Sequence, residues 1–357
     1  MHLSTSSSKA PTRRHVVLLL LACTLVCGVI EAGTTFEFER ISRIEHRREK
    51  EYQRALVMHK AEHATSVLVA GNSLLLEGVD FPQLQQQVGP EFNLGRLVVE
   101  GTFYVDWYYG LRRIFSAGSR PDAVVLVLNP AQLTSSAIGG DYTTHFLVDK
   151  ADLLQFAKDA GADRNRMSSM ALANISFFYG ARAEIRNWVL GAIIPGLPGL
   201  TRSFRSAPKP PPAGAGSLEL ALGRLQRLDR LCQDHGAELV FVIPPSNEDN
   251  GSSALAQAAS TIGVPVLIPI ASGQLRPSDY SDRFHLSPDG AGKFTPALAA
   301  DLRQLLLVGD SGRNLTVAFK SASAGTRRLN DAAGQTSFAN APLDRPDARK
   351  IAHNPGD

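Results

Sequence analysis

Ser66–Asp80 reads SVLVAGNSLLLEGVD. An unbroken apolar run, Val67 to Ala70, enters a Gly71-Asn72-Ser73 turn, and an apolar segment of different spacing follows. A short apolar run bounded by turn residues is the mark of a strand buried on both faces, as in a parallel sheet covered by helices. Ser73 then falls at the carboxyl end of that strand. Open α/β sheets place their chemistry there, because the turn leaving a strand presents backbone N–H groups and a side chain at the mouth of a crevice.

Working outward, the same alternation of apolar runs and helical periodicity recurs. Strands are expected at Ser66–Ala70, Phe92–Leu94, Ala123–Leu128, Leu239–Ile243 and Val264–Ile268, with helices at Thr102–Ser116, Leu218–His235 and Ala254–Ile262 between them. A last helix is expected from Ser287, where Ser-Pro-Asp-Gly supplies an N-cap and a first-turn proline, to about Leu307. This order predicts an α/β fold, a three-layer α/β/α sandwich around a central parallel sheet, over residues 63–308. Residues 139–217 interrupt the alternation with apolar and aromatic sequence and a Pro/Gly/Ala linker. Such an insertion is expected to form a lid or substrate-facing surface, a contact with a membrane or partner, or a helical subdomain with its own small core. The tail, 309–357, is poor in clustered apolar residues and is expected to be disordered.

Asp282-Arg283-Phe284-His285 brings the second chemical signal: Asp282 is the one Asp in the chain with His three residues on. In a helical turn that spacing lets a carboxylate meet an imidazole. Acyl transfer at a serine needs a base, a group that orients the base, and donors for the oxyanion. His285, Asp282 and the strand-end Ser73 can fill the first roles, although each also has a plain reading as a turn or surface residue.

Taken together, these residues resemble the SGNH (GDSL-type) hydrolase family, whose GDS and DxxH blocks they match as Gly71-Asn72-Ser73 and Asp282-Arg283-Phe284-His285. Asn72 stands where that family usually has Asp. The resemblance implies Ser73 as nucleophile, His285 as general base and Asp282 as orienting carboxylate. It also implies an oxyanion hole from the Ser73 N–H, Gly101 in LVVEGTF and the side chain of Asn129 in VVLVLNP. Gly101 also reads as a turn glycine, and Asn129-Pro130 as a strand end.

The amino terminus carries Arg13-Arg14-His15 and then fifteen uncharged, mostly apolar residues, VVLLLLACTLVCGVI, ending at Ile30. With a basic flank and no clean small-residue cleavage site, this reads as an uncleaved signal anchor over residues 16–32. The flank at residues 1–15 is expected to stay cytoplasmic and the bulk of the chain to be exported. Residues 33–62, dense in charges of both signs with a thin apolar stripe, are expected to form a stalk or packing helix with solvated charges.

Only three cysteines occur, and Cys23 and Cys27 lie in the apolar run, so Cys232 has no partner for a disulfide in the exported part. A net charge of +3, with basic residues spread among acidic ones, gives no footprint for nucleic acid. No His/Cys/Asp/Glu cluster has metal-ligand spacing and no GxGxxG or P-loop motif is present, so no cofactor or metal is expected.

An amino-terminal anchor with the triad domain outside is most similar to the SGNH proteins of exopolysaccharide and cell-wall O-acetylation systems. That likeness implies transfer of acetyl to a sugar hydroxyl through an acyl-serine, with a membrane-bound O-acyltransferase as a possible partner. The alternatives are a serine esterase, with water as acceptor, and a non-catalytic scaffold or glycan-binding subunit of an assembly complex.

Overall fold

In the strand Thr65–Gly71 (β1), Val67 and Val69 join one apolar cluster while Leu68 and Ala70 join another. This alternation, the pleat of a strand with both faces covered, is the organising fact of the computed structural model, which describes residues 13–194 and 215–308. Four further strands repeat it: Phe92–Val98 (β2), Ala123–Val127 (β3), Glu238–Val242 (β4) and Val266–Leu267 (β5). All pair in parallel, in the order β2-β1-β3-β4-β5. The five expected strands are therefore present, with β2 longer and β5 shorter than read.

Helices are numbered in chain order: α1 (Arg13–Ile41), α2 (Arg43–Leu56), α3 (Ser73–Gly78), α4 (Phe81–Val88), α5 (Tyr104–Ser116) and α6 (Pro130–Thr134). Then follow α7 (Asp141–Leu147), α8 (Leu153–Asp159), α9 (Arg164–Ile175), α10 (Phe177–Gly180) and α11 (Arg182–Ile193). The series ends with α12 (Ala215–Gln233), α13 (Ser252–Ser260) and α14 (Pro288–Val308).

On one face of the sheet, Val67, Val69, Val125, Val127 and Val240 pack against Leu75 of α3, Leu84 and Val88 of α4, and Phe294, Leu298 and Leu302 of α14. On the other, Leu68, Ala70, Leu126 and Phe241 meet Trp107 and Phe115 of α5, Leu225 and Cys232 of α12, and Leu255 of α13. The fold is thus the expected three-layer α/β/α arrangement. Cys232 is buried in the second layer as a small apolar residue. The start of α14 follows the sequence reading, since Ser287 Oγ accepts from the Gly290 N–H and Pro288 is the first helical residue.

The charged segment after the apolar run is the packing helix of the two expected alternatives, but its charges are not solvated. Ser42 breaks the helix and its Oγ accepts from the Glu45 N–H, so α2 turns away from α1 and packs along the edge strand β2. Glu45, Arg48 and Glu51 are buried, contrary to the solvated face expected of a stalk. Glu51 Oε2 accepts from the Val98 N–H at 2.9 Å, and Arg47 donates to the Val98 carbonyl at 3.3 Å. An edge strand offers unpaired backbone groups that invite aggregation. Here side chains of α2 occupy two of them.

The apolar run itself extends further than its fifteen uncharged residues. Arg13–Phe38 is one helix long and apolar enough to cross a membrane. Thr24, Thr34 and Thr35 interrupt its apolarity without exposing a donor, because each hydroxyl donates back to the carbonyl four residues earlier.

The described part of the insertion is helical, α7 to α11, and shares the core of the domain. Tyr142, Phe146, Leu147, Phe156 and Met170 belong to the same apolar cluster as α5 and the sheet. The described insertion is therefore continuous with the domain up to α11, which buries none of its residues. The expected disordered tail, 309–357, and residues 206–214 of the Pro/Gly/Ala linker lie outside the described residues.

Candidate active site

The Gly71-Asn72-Ser73 turn is built by three constraints. Gly71 pairs with Val98 on one side and Val127 on the other, and a Cβ there would lie 2.9 Å from the Val127 carbonyl oxygen. Only glycine fits the centre of the sheet at that point. Asn72 then caps α3: its Oδ1 accepts from the Leu74 N–H at 3.0 Å. Ser73, the first residue of α3, is left at the carboxyl edge of β1, partly exposed.

The DxxH segment reaches Ser73 from the far end of the chain. Asp282–His285 forms a bend closed by a Tyr280–Leu286 bridge, where a helical turn was expected. The reason is the Asp282 carboxylate, which accepts from the backbone N–H of both Phe284 and His285, at 2.9 and 2.7 Å, and so holds the backbone in a turn of its own. The other carboxylate oxygen, Oδ2, lies 2.7 Å from His285 Nδ1. His285 Nε2 lies 2.9 Å from Ser73 Oγ, across 212 residues of chain. One carboxylate thus orients both the backbone and the ring of the histidine.

The electrostatics set the direction of these bonds. Burial pushes the Asp282 carboxyl up, but the hydrogen bonds from the His285 ring and from two backbone N–H groups outweigh it and hold the group below the usual carboxylate range. An ionised Asp282 requires Nδ1 to carry a proton and donate it. With the ring neutral, Nε2 is then an acceptor, and the Ser73 hydroxyl donates to it. This is the hydrogen-bonded arrangement that nucleophilic attack by a serine hydroxyl would require.

Gly101 and Asn129 lie just beyond the carboxyl ends of the two strands flanking β1. Since Gly71 is in register with Val98 and Val127, the residues that follow those valines emerge at the level of Ser73. Gly101 sits in a turn at φ +72°, a conformation that favours glycine. Asn129 uses Oδ1 to cap α6 through the Gln132 N–H at 2.8 Å. Among the described residues none accepts from the Asn129 amide NH2, the Gly101 N–H or the Ser73 N–H. These are the donors expected of an oxyanion hole, at one edge of three adjacent strands. Neither Gly101 nor Asn129 is bonded to the Ser–His–Asp chain itself.

Three features of the site escaped the sequence reading. The buried amide of Asn72 donates from Nδ2 to the Thr102 carbonyl at 2.9 Å, tying the Ser73 turn to the Gly101 loop. An ionised aspartate at this position would have no proton to give there. Asp106, wholly buried, accepts from the Phe103 and Gly139 N–H groups, both at 2.9 Å, and from the Thr143 hydroxyl at 3.1 Å. It joins the Gly101 loop to the start of the insertion. Burial pushes its carboxyl up to about 7 against these three donors. Finally, Glu100, next to Gly101, is clasped by Arg47 and Arg48 of α2 at 2.5 and 2.8 Å. Burial raises its carboxyl, and the two guanidinium groups bring it below the ordinary value. An acidic residue three places into a helix, as Asp106 is, is the signal by which the second of these was legible.

No family model and no curated protein matches this chain. Among the described residues no group of three or more His, Cys, Asp or Glu side chains is arranged to hold a metal ion.

Proposed function

We propose that this chain is a membrane-anchored, extracytoplasmic SGNH-like acyl-ester enzyme that transfers acetyl to a hydroxyl of an exported polysaccharide through an acyl-serine. The observation that carries the chemistry is the hydrogen-bonded chain from Ser73 Oγ through the His285 ring to Asp282, assembled at the carboxyl edge of a parallel sheet. In the first half-reaction Ser73 Oγ bonds to the acyl carbon while its proton passes to His285 Nε2. The donor's ester C–O bond then breaks and the leaving oxygen takes that proton. In the second, the acceptor hydroxyl gives its proton to Nε2 and bonds to the acyl carbon; the acyl–Ser73 Oγ bond then breaks and Oγ takes that proton back. Asp282 supports the imidazolium in both. The Ser73 N–H, Gly101 N–H and Asn129 amide are assigned to the oxyanion.

Localisation rests on α1 and its Arg13-Arg14 flank, which the positive-inside rule keeps in the cytoplasm, placing the sheet domain on the opposite side. The polysaccharide acceptor and a membrane-bound O-acyltransferase as partner follow from the resemblance alone.

The test is a serine-directed fluorophosphonate followed by product analysis. Labelling of the wild type and not of Ser73→Ala supports the acyl-serine, and no labelling of a folded wild type leaves the scaffold reading. Acetylated glycan formed only when acetyl donor and glycan are both present marks a transferase. Release of free acetate at the same rate without glycan marks an esterase.

A further inference from the structure

The last described helix of the insertion before residue 195, α11, is anomalous for water. No residue of α11 is buried, yet Trp188, Val189 and Ile193 are exposed large apolar side chains, Ile193 to 69%. Only its first turn leans on the domain, where Ile185 packs against the core. Just before it, Ile175 and Phe178 are exposed to 71% and 41%. A side chain of this size left in water forgoes roughly 1.5–3 kcal/mol of burial. Contiguous exposed apolar surface of this kind marks a site of contact.

What covers it is indicated by its attachment to α1. Glu31 is the first acidic residue after the apolar run and lies toward the far end of the helix Arg13–Phe38 that is long and apolar enough to span. Its carboxylate, half-buried, is bonded within the protein. It accepts from the Ser176 hydroxyl at 2.6 Å and from the N–H groups of Phe177 and Phe178, capping α10. Phe38, further along α1, packs on the Phe177 ring, with centroids 6.2 Å apart. The chain around Phe178 is therefore held one hydrogen bond from the far end of the helix that can span a membrane, and α11 starts two residues after α10 ends. Tryptophan among aliphatic side chains, with the exposed Arg186 on the same helix, is the composition that lies in a headgroup layer.

We infer that α10 and α11 form a membrane-surface foot: Phe178, Trp188, Val189 and Ile193 lie in the lipid headgroup and upper acyl region beside α1. With α1 and Glu31 this fixes the domain to the bilayer at two places, where a flexible tether would leave it free to tumble.

The chain has two tryptophans, and Trp107 is fully buried. The full-length protein is reconstituted into phosphatidylcholine/phosphatidylglycerol vesicles containing phosphatidylcholine brominated high on its acyl chain, and vesicle insertion is verified by flotation in alkaline carbonate. The wild type is expected to lose most of the emission assignable to Trp188, taken as the difference between wild type and Trp188→Phe. The variant, left with Trp107, is expected to change little. In a Val189→Asp/Ile193→Asp double variant the quenching of Trp188 should fall. Trp188 emission untouched by brominated lipid but quenched by aqueous iodide overturns the inference, since α11 is then in water. Emission insensitive to both quenchers also overturns it, assigning the surface to a second copy or another protein. Because flotation reports α1 separately, neither outcome is confused with failure of the helix to insert, and neither depends on acyl transfer.

Discussion

Asn72 Nδ2 donates to the Thr102 carbonyl oxygen at 2.9 Å, so the turn bearing Ser73 and the loop bearing Gly101 are held by one buried side chain. Asn72→Asp keeps the acceptor that caps α3 but sets a second acceptor against the Thr102 oxygen. At neutral pH the variant should lose about 1–3 kcal/mol of stability, the cost of leaving buried polar groups unpaired. As pH falls the new carboxyl protonates and regains a donor, so the deficit should shrink in acid. Equal deficits at pH 5 and pH 8, measured by urea unfolding, would show that the Thr102 bond carries no weight.

Ser73, His285 and Asp282 are joined in series, so their effects on turnover should not add. Ser73→Ala and His285→Ala are each expected to remove nearly all turnover, and the double variant should be no worse than either alone. Asp282→Asn should cost less than either, though it also weakens the turn that the carboxylate holds through the Phe284 and His285 N–H groups. Wild-type turnover in a folded Ser73→Ala would reduce the motif to a turn.

Asn129 has two separable duties. Its Oδ1 caps α6, while its NH2 is the assigned oxyanion donor. Asn129→Ala should lower the rate by roughly 10²–10³, and lose about 1 kcal/mol of stability with the cap. Asn129→Asp keeps the cap and loses the donor, so its rate should fall at least as far while its melting temperature stays near that of the wild type. A fully active Asn129→Asp would remove Asn129 from the oxyanion hole.

Asp106 should make stability fall as pH rises. Its folded-state carboxyl is pushed up to about 7 by burial, above its value in an unfolded chain. The folded state therefore holds the proton more tightly: this contribution is fully present below about pH 4 and lost as pH rises through about 7, at about 1.4 kcal/mol per unit of displacement. Asp106→Asn lacks the effect. The stability of the wild type relative to this variant should decline between pH 4 and pH 7, and a difference flat across that range would show that the three donors keep Asp106 ionised throughout.

Much of this protein was legible in one dimension because the physics behind it is local. Val67–Ala70 announced a buried strand by its length and composition, the Gly71-Asn72-Ser73 turn marked the strand's carboxyl end, and Ser287-Pro288 marked the start of α14. The five strands and their helices followed, and the three residues singled out, Ser73, Asp282 and His285, are brought together in space.

Tertiary structure decided what depends on which groups lose water together. Residues 43–56 read as a solvated charged helix, because nothing in the local pattern shows that Glu51 and Arg47 will pair with the open edge of β2 or that Arg48 will find Glu100. Whether a charge faces solvent is set by what packs over it, and here that is a strand some fifty residues away. The role of Asn72 was hidden for the same reason: its neighbours in sequence suggest a cap, and only the fold brings the Thr102 carbonyl to its amide. The insertion, too, shares its core with α5 because Tyr142, Phe146 and Phe156 meet Trp107 and Tyr109 in space. Residue type and spacing determine which local structures are cheap; burial, a property of the assembled whole, determines which polar groups must find one another.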